Sequence, residues 1–242
     1  MTISAQNVQY DIQAEGLKKS FGNFDALRGV DLHVKRGEFM TLFGPNGAGK
    51  TTLIKLLATL TSPTSGTLSV YGYDVRKDVN NIRSVIGVIS HDPYLYDNLS
   101  AFENIKFFGT LYGLDDVDNR ARSVIKQVGL EKRMNDLVRT FSRGMKQRLT
   151  VARAIVHEPK ILLLDEPYTG LDQHGAQIFG EMLSDLKSQR RTILMTTHNI
   201  DEGLELSDRI GILAKGKIVL DCSKTEIERS GFKDLYISKV EQ

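Results

Sequence analysis

Short apolar runs punctuate the chain at Val30 to Val34, Phe39 to Phe43, Ile161 to Leu164 and Thr192 to Met195, and longer stretches with apolar residues at helical spacing separate them. This alternation predicts an α/β fold built on central, buried strands. Four consecutive apolar residues from Ile161 end on Asp165 and Glu166, so this strand delivers two carboxylates at its exit. Asp208 to Leu213 and Lys217 to Leu220 flank Lys215 and Gly216, which predicts a hairpin. A strand at Val85 to Ile89 precedes a middle section of different character, from about Asp92 to Thr140. There Ser100, with Glu103 at the capping-box position, predicts a helix start, and Asp116 to Val128 reads as a second helix. Gly113 and Gly129 supply stop signals within what is expected to be an inserted helical lobe, about residues 92–140. A further helix is expected near Lys224 to Arg229.

Composition narrows the class. The chain has 242 residues, 40% hydrophobic and 26% charged, enough for a large core in one domain carrying an inserted lobe. No repeat or low-complexity tract interrupts it, so residues 1–242 are read as a single unit. A net charge of +2 is far from the basic excess that broad phosphate-backbone binding needs, and no nucleic-acid partner is expected. Cys222 stands alone, so nothing demands an oxidising compartment. Met1 to Tyr10 lack a signal-peptide pattern, and no apolar run approaches the ~18 residues of a membrane helix. Membrane association would therefore come through a partner that spans.

The chemistry starts at Gly44, Pro45, Asn46, Gly47, Ala48, Gly49, Lys50 and Thr51, which fit the pattern G-x-x-x-x-G-K-[ST] between a buried strand and a helix over about Lys50 to Thr59. Glycines let backbone N–H groups wrap a polyphosphate at the helix N-terminus. Lys50 supplies a charge to the β and γ phosphates, the Thr51 hydroxyl suits Mg²⁺, and Thr52 continues the same turn. In such proteins an acid at the end of a strand holds the metal, so Asp165 is the metal candidate, and Glu166 beside it is the candidate general base. The plain alternative is a pair of acids marking a strand's exit into solvent.

These residues resemble the nucleotide-binding subunit of ATP-binding cassette (ABC) transporters, and the resemblance covers nearly the whole chain. It implies a P-loop NTPase of ABC ATPase type: a RecA-like α/β core with an antiparallel β subdomain and an inserted helical lobe. Ser142-Arg143-Gly144-Met145-Lys146-Gln147-Arg148 looks like the family signature, usually Leu-Ser-Gly-Gly-Gln, with Phe141, Arg143 and Met145 as departures. Ser142 caps a helix expected over about Arg143 to Val156, whose apolar stripe is Met145, Leu149, Ala152 and Ile155. The resemblance implies that Ser142 to Met145 address the γ phosphate held by a second copy, so that ATP closes a homodimer. Thr169-Gly170-Leu171-Asp172 resembles the family's D-loop, crossing that interface, although Asp172 also reads as a helix cap. His198 resembles the switch histidine at the γ phosphate. Phe21 fits the aromatic platform for adenine, with a core Phe as the alternative.

Where the family has a Gln that binds Mg²⁺, this chain has His91. Imidazole matches the hard Mg²⁺ ion less well than an amide oxygen, so contact through water is the expected form. Tyr94, Leu95 and Tyr96 follow, in the groove that would receive a coupling helix, or else as a buried loop cluster. His91, the Phe-Ser-Arg-Gly-Met form of the signature, and Asp165-Glu166-Pro167-Tyr168-Thr169-Gly170-Leu171-Asp172 look like the branch serving haem export in cytochrome c maturation. The implied activity is Mg-dependent ATP hydrolysis on the cytoplasmic face of a membrane, driving a separately encoded transmembrane permease. A drug or lipid exporter is the alternative. Chromosome-organising heads are disfavoured, because the segment between Lys50 and Ser142 holds a helical lobe and little more.

Overall fold

Two sheets share the strands of the computed structural model, which describes residues 9–228 and 231–241. The first is antiparallel. It begins with β1 (Tyr10–Phe21) and β2 (Phe24–Lys35), and after β3 (Phe39–Phe43) and α1 (Lys50–Leu57) it adds β4 (Ser65–Val70) and β5 (Tyr73–Asp74), in the order β2-β1-β4-β5. The second sheet takes β3 and then, beyond α2 (Val79–Val85), β6 (Ile86–Ser90). Between β6 and β7 (Ile161–Asp165) lie α3 (Ala101–Leu111), α4 (Val117–Gln127) and α5 (Arg143–Ile155). The chain ends with α6 (Gln173–Ser188), β8 (Thr192–Thr197), α7 (Ile200–Leu206), the hairpin β9 (Arg209–Ala214) and β10 (Lys217–Ser223), and α8 (Phe232–Glu241). The order of the second sheet is β10-β9-β3-β8-β7-β6, parallel except for the β9–β10 hairpin.

Every residue of β3, β7 and β8 is buried, which explains why these strands read as unbroken apolar runs. Alternation still assigns each side chain to a layer. Ile161 and Leu163 join a core with Leu53 and Leu56 of α1 and the antiparallel sheet, whereas Leu162 and Leu164 join Leu149 and Ile155 of α5 and Leu183 of α6. The sheet is thus sandwiched between two apolar layers. Asp11 ties the sheets together: buried in β1, it accepts from Arg36 Nε at 3.0 Å and from Thr192 Oγ1 at 2.6 Å.

In the helical section Ser100 forms the expected capping box, its hydroxyl accepting from Glu103 N at 3.2 Å while Glu103 Oε2 accepts from Ser100 N at 2.7 Å. Gly113 and Gly129 end their helices at φ 70° and 68°, in the left-handed region. Buried Asn104 fastens α3 to the preceding loop, accepting from Tyr96 N and donating to the carbonyls of Tyr96 and Ser100. Arg153 of α5 joins this section to the sheet, donating to Val88 O at 2.9 Å.

The C-terminal helix is displaced from its expected place. Lys224–Glu226 form a single 3₁₀ turn capped by Ser223, Ile227 is extended, and Arg229 lies outside the described residues. The α-helix begins at Phe232, whose fully buried ring packs 5.1 Å from that of Phe43. Burial of that ring sets the helix start, and local propensity around Lys224 does not. Among the described residues, no helix is long and apolar enough to cross a membrane.

Candidate nucleotide site

The parallel strands β3, β6, β7 and β8 all deliver their C-terminal ends to one edge of the sheet, the edge where open α/β folds hold ligands. Gly44 leaves β3 there, Ser90 and His91 leave β6, Asp165 and Glu166 leave β7, and Thr197 and His198 leave β8. Residues far apart in sequence therefore meet because neighbouring strands run parallel and in register: Asp165 sits across from Ser90 on one side and Thr196 on the other.

The phosphate loop is wedged between β2 and the β9–β10 hairpin. Gly49 caps α1 at φ 108°, and a Cβ there would stand 2.6 Å from Ala26 O. A Cβ on Gly44 would meet Leu213 O. Both positions require glycine, for conformation at Gly49 and for space at both. Gly216, in the hairpin turn, donates to Ala48 O at 3.1 Å and accepts from Arg28 N at 2.8 Å, so the loop is backed by backbone hydrogen bonds. Asn46 and Gly47 form the exposed tip, with Pro45 partly and Ala48 fully covered. Thr51 is exposed and Thr52 half-buried in the first turn of α1.

Lys50 folds inward, its ammonium donating to Gly44 O at 2.6 Å and Pro45 O at 3.2 Å and lying 3.0 Å from Glu166 Oε1. The other oxygen of Glu166 takes His198 Nδ1 at 2.8 Å and His198 N at 3.3 Å. Glu166 itself sits at φ 50°, left-handed for a residue with a side chain, with its N–H donating to Thr196 O at 3.0 Å. Such a conformation persists only where neighbours hold it, and it is a frequent mark of working sites. Lys50, Glu166 and His198 thus form one chain of contacts, in which the lysine and histidine flank a carboxylate that is 17% exposed. Buried Asp165 accepts from Thr196 Oγ1 at 2.7 Å on one oxygen, which leaves the second for a metal or its water. The hard oxygens of Asp165 and Thr51 suit a magnesium ion. Glu202 of α7 has its carboxyl raised above the ordinary value, by burial first, with His198 opposing that rise.

Other expected residues lie further out. Phe21, half exposed, pairs across a tight turn with Phe24 and lies under Lys19 Nζ at 4.8 Å from the ring centre. His91 is half exposed and pairs with Asp92 at 3.2 Å. Ser142 caps α5, accepting from Met145 N at 3.3 Å, and Asp172 caps α6, accepting from Gly175 N at 2.7 Å. Arg143 and Gly144 open α5 beside Gly170 and Leu171. Gln147, named in the sequence only as part of the signature-like run, gains a role of its own: its amide donates to Pro167 O at 2.8 Å, directly behind Glu166. Its place one helical turn past Arg143 is readable in the sequence, but its burial and the partner carbonyl are not.

A separate groove of about 460 Å³ lies between the helical section and the sheet, lined by Leu60, Tyr94, Phe108, Tyr112, Arg153 and His157 among others. Of the three residues expected there, Tyr94 lines it, Leu95 packs on the core, and Tyr96 turns to Phe107 at 5.1 Å between ring centres.

Known proteins resemble this chain in sequence and in fold. The family model described as ABC transporter matches residues 27–169. The chain is similar to the linearmycin resistance ATP-binding protein LnrL of Bacillus subtilis (strain 168), 36% identical over 218 residues, covering 89% of this chain and 70% of that one. It is similar to the lantibiotic transport ATP-binding protein SrtF of Streptococcus pyogenes, 38% identical over 211 residues, 87% of this chain and 90% of that one. Among solved structures, an ATP-binding cassette in a dimeric post-hydrolysis state bound to ADP and Pi superposes with a TM-score of 0.79 at 26% identity, over 88% of this chain and 98% of that one.

Proposed function

This chain belongs to the ABC transporter family and is an ATPase of it, and from that premise we propose that it is the motor subunit of a membrane exporter. The observation that carries the reading is the contact chain Lys50–Glu166–His198 at the mouth of the phosphate loop. Backbone N–H groups of Asn46 to Thr52 and the Lys50 ammonium hold the phosphates of ATP, with Gly44 and Pro45 shaping the loop and Phe21 under the adenine. Mg²⁺, held by Thr51 and Asp165, with His91 reaching it through water, would supply charge to the β and γ phosphates. Glu166 takes the proton of the attacking water while His198 holds the carboxylate and the γ phosphate in line. Catalysis of this kind works by placement and charge, because a loose phosphoryl-transfer transition state asks for little covalent help.

Ser142, Gly144, Met145 and Asp172 complete the site of a second copy when ATP closes the dimer, whereas the Arg143 side chain turns back to Thr169 O of its own chain. The dimeric cassette among the structural relatives supports this. The groove around Tyr94, Phe108 and Tyr112 receives a short helix from a separate membrane subunit, on the cytoplasmic face of a membrane. Exposed Leu60 and Tyr94 on its rim support that role.

Two cargo readings go with this motor. Relatives named for linearmycin resistance and lantibiotic transport support export of antimicrobial compounds. His91 and the Phe-Ser-Arg-Gly-Met signature support the haem-export branch instead. Affinity purification of Glu166→Gln from native membranes with Mg-ATP tests both. Turnover should fall at least about a hundredfold with ATP binding kept, and a multi-span permease should co-purify. A drug-type permease supports the first cargo and cytochrome-maturation subunits the second; parental turnover, or no membrane protein, overturns the motor reading.

A further inference from the structure

Arg143 stands where the family signature has glycine, and its side chain does not point away from the chain. Its Nη2 donates to Thr169 O at 2.7 Å, and the guanidinium lies so close over Gly170 that a Cβ there would collide with Arg143 Cζ and Nε. Gly170, at φ 75°, satisfies both the backbone turn and the plane stacked on it.

One turn further along the same face of α5, Gln147 Nε2 donates to Pro167 O at 2.8 Å. The first two turns of α5 therefore grip the loop after Glu166 at two points. Within that loop Thr169 N donates back to Glu166 O at 3.2 Å, so the carbonyl held by Arg143 belongs to the residue that closes the turn on Glu166. Glu166 occupies a backbone conformation that a residue with a side chain adopts only when its surroundings fix it. Thr196 fixes its N–H from the sheet side, and the grip of α5 fixes the chain that follows.

We propose that Arg143 is a positioning residue for Glu166, acting through Thr169 and Gly170 to hold the carboxylate at the γ phosphate. The proposal rests on Glu166 being the general base. A planar fork is needed because one donor must reach Thr169 O while the flat face covers Gly170, and lysine offers only the first of these.

Steady-state ATP turnover of the subunit captured with its membrane partner tests this, using Arg143→Ala and Arg143→Lys in the parental and Glu166→Gln backgrounds. Peptide-level hydrogen exchange over residues 166–172 is read on the same samples. Arg143→Ala should lower kcat about tenfold with KM for ATP within about twofold, since a small displacement of a reacting group is enough for such a loss. Arg143→Lys should regain part of it, exchange over 166–172 should quicken in Arg143→Ala, and the melting temperature should stay within about 2 °C. In the Glu166→Gln background Arg143→Ala should cost nothing more, because the residue it positions is gone. Unchanged kcat, unchanged exchange, a rise in KM alone, or an equal loss in both backgrounds overturns the proposal. Parental turnover in Glu166→Gln removes the base assignment itself, and with it the proposal, whatever Arg143 does.

Discussion

The ring of Tyr112 lies flat on that of His157, 3.7 Å between centres and 8° from parallel, where the helical section meets the sheet. His157 Nε2 donates to Ile86 O at 2.9 Å, and Nδ1 is buried without a hydrogen-bond partner among the described residues. Burial pushes its pKa down to about 4, with the Ile86 bond opposing and Arg120 and Arg191 adding to the shift. The folded chain therefore keeps this histidine neutral while the unfolded chain protonates near 6.5. Its contribution is complete above pH 6.5 and is lost as pH falls toward 4. Between pH 7.5 and 5 the loss should be about 2 kcal/mol, a fall of about 4–8 °C in melting temperature. His157→Phe, which keeps a ring on Tyr112, should show a melting temperature that falls less over the same interval.

Gly49→Ala should disable the phosphate loop. The new methyl meets Ala26 O at 2.6 Å in a backbone conformation that alanine avoids. A cost of about 3 kcal/mol is expected, together with loss of ATP binding. Thermal melts and nucleotide titration check the two effects separately.

Asp11→Ala should loosen the antiparallel sheet from the parallel one. The substitution leaves the Thr192 hydroxyl hydrogen without its acceptor, although Oγ1 still accepts from Gly37 N, and frees Arg36, whose half exposure discounts the ionic part. A loss of about 2 kcal/mol is expected, with Asp11→Asn recovering part of it through Thr192. The urea midpoint reads both.

Much of this architecture was legible in the residues, and the pattern of successes has a physical cause. The phosphate loop, the Ile161 strand and the Ser100 capping box are local features, set by residues a few positions apart. The Lys215-Gly216 hairpin is equally local. β1 is different: its alternation is broken by irregular pairing between Ala14 and Lys18, with Gly16 at φ 54°, so no single period runs through it. The start of α8 depends on Phe43, and the grip of α5 on the loop behind Glu166 depends on two carbonyls distant in sequence. Residue types announced the parts of the candidate site, whereas the contact of Lys50 with Glu166 needed the sheet order.

That sheet order also sets a schedule. β3, which launches the phosphate loop, lies between β8 and β9, and the loop itself is backed by Gly216. On a ribosome, β3 emerges well before β8 and β9, with α1 to α6 made in between, so neither flank of the strand exists when it first appears. Pairings of such long sequence separation form slowly. An apolar β3 left without neighbours is open to wrong partners in that interval, so the stretch from Thr192 to Ser223 governs when the strand is first paired and the loop after it first backed.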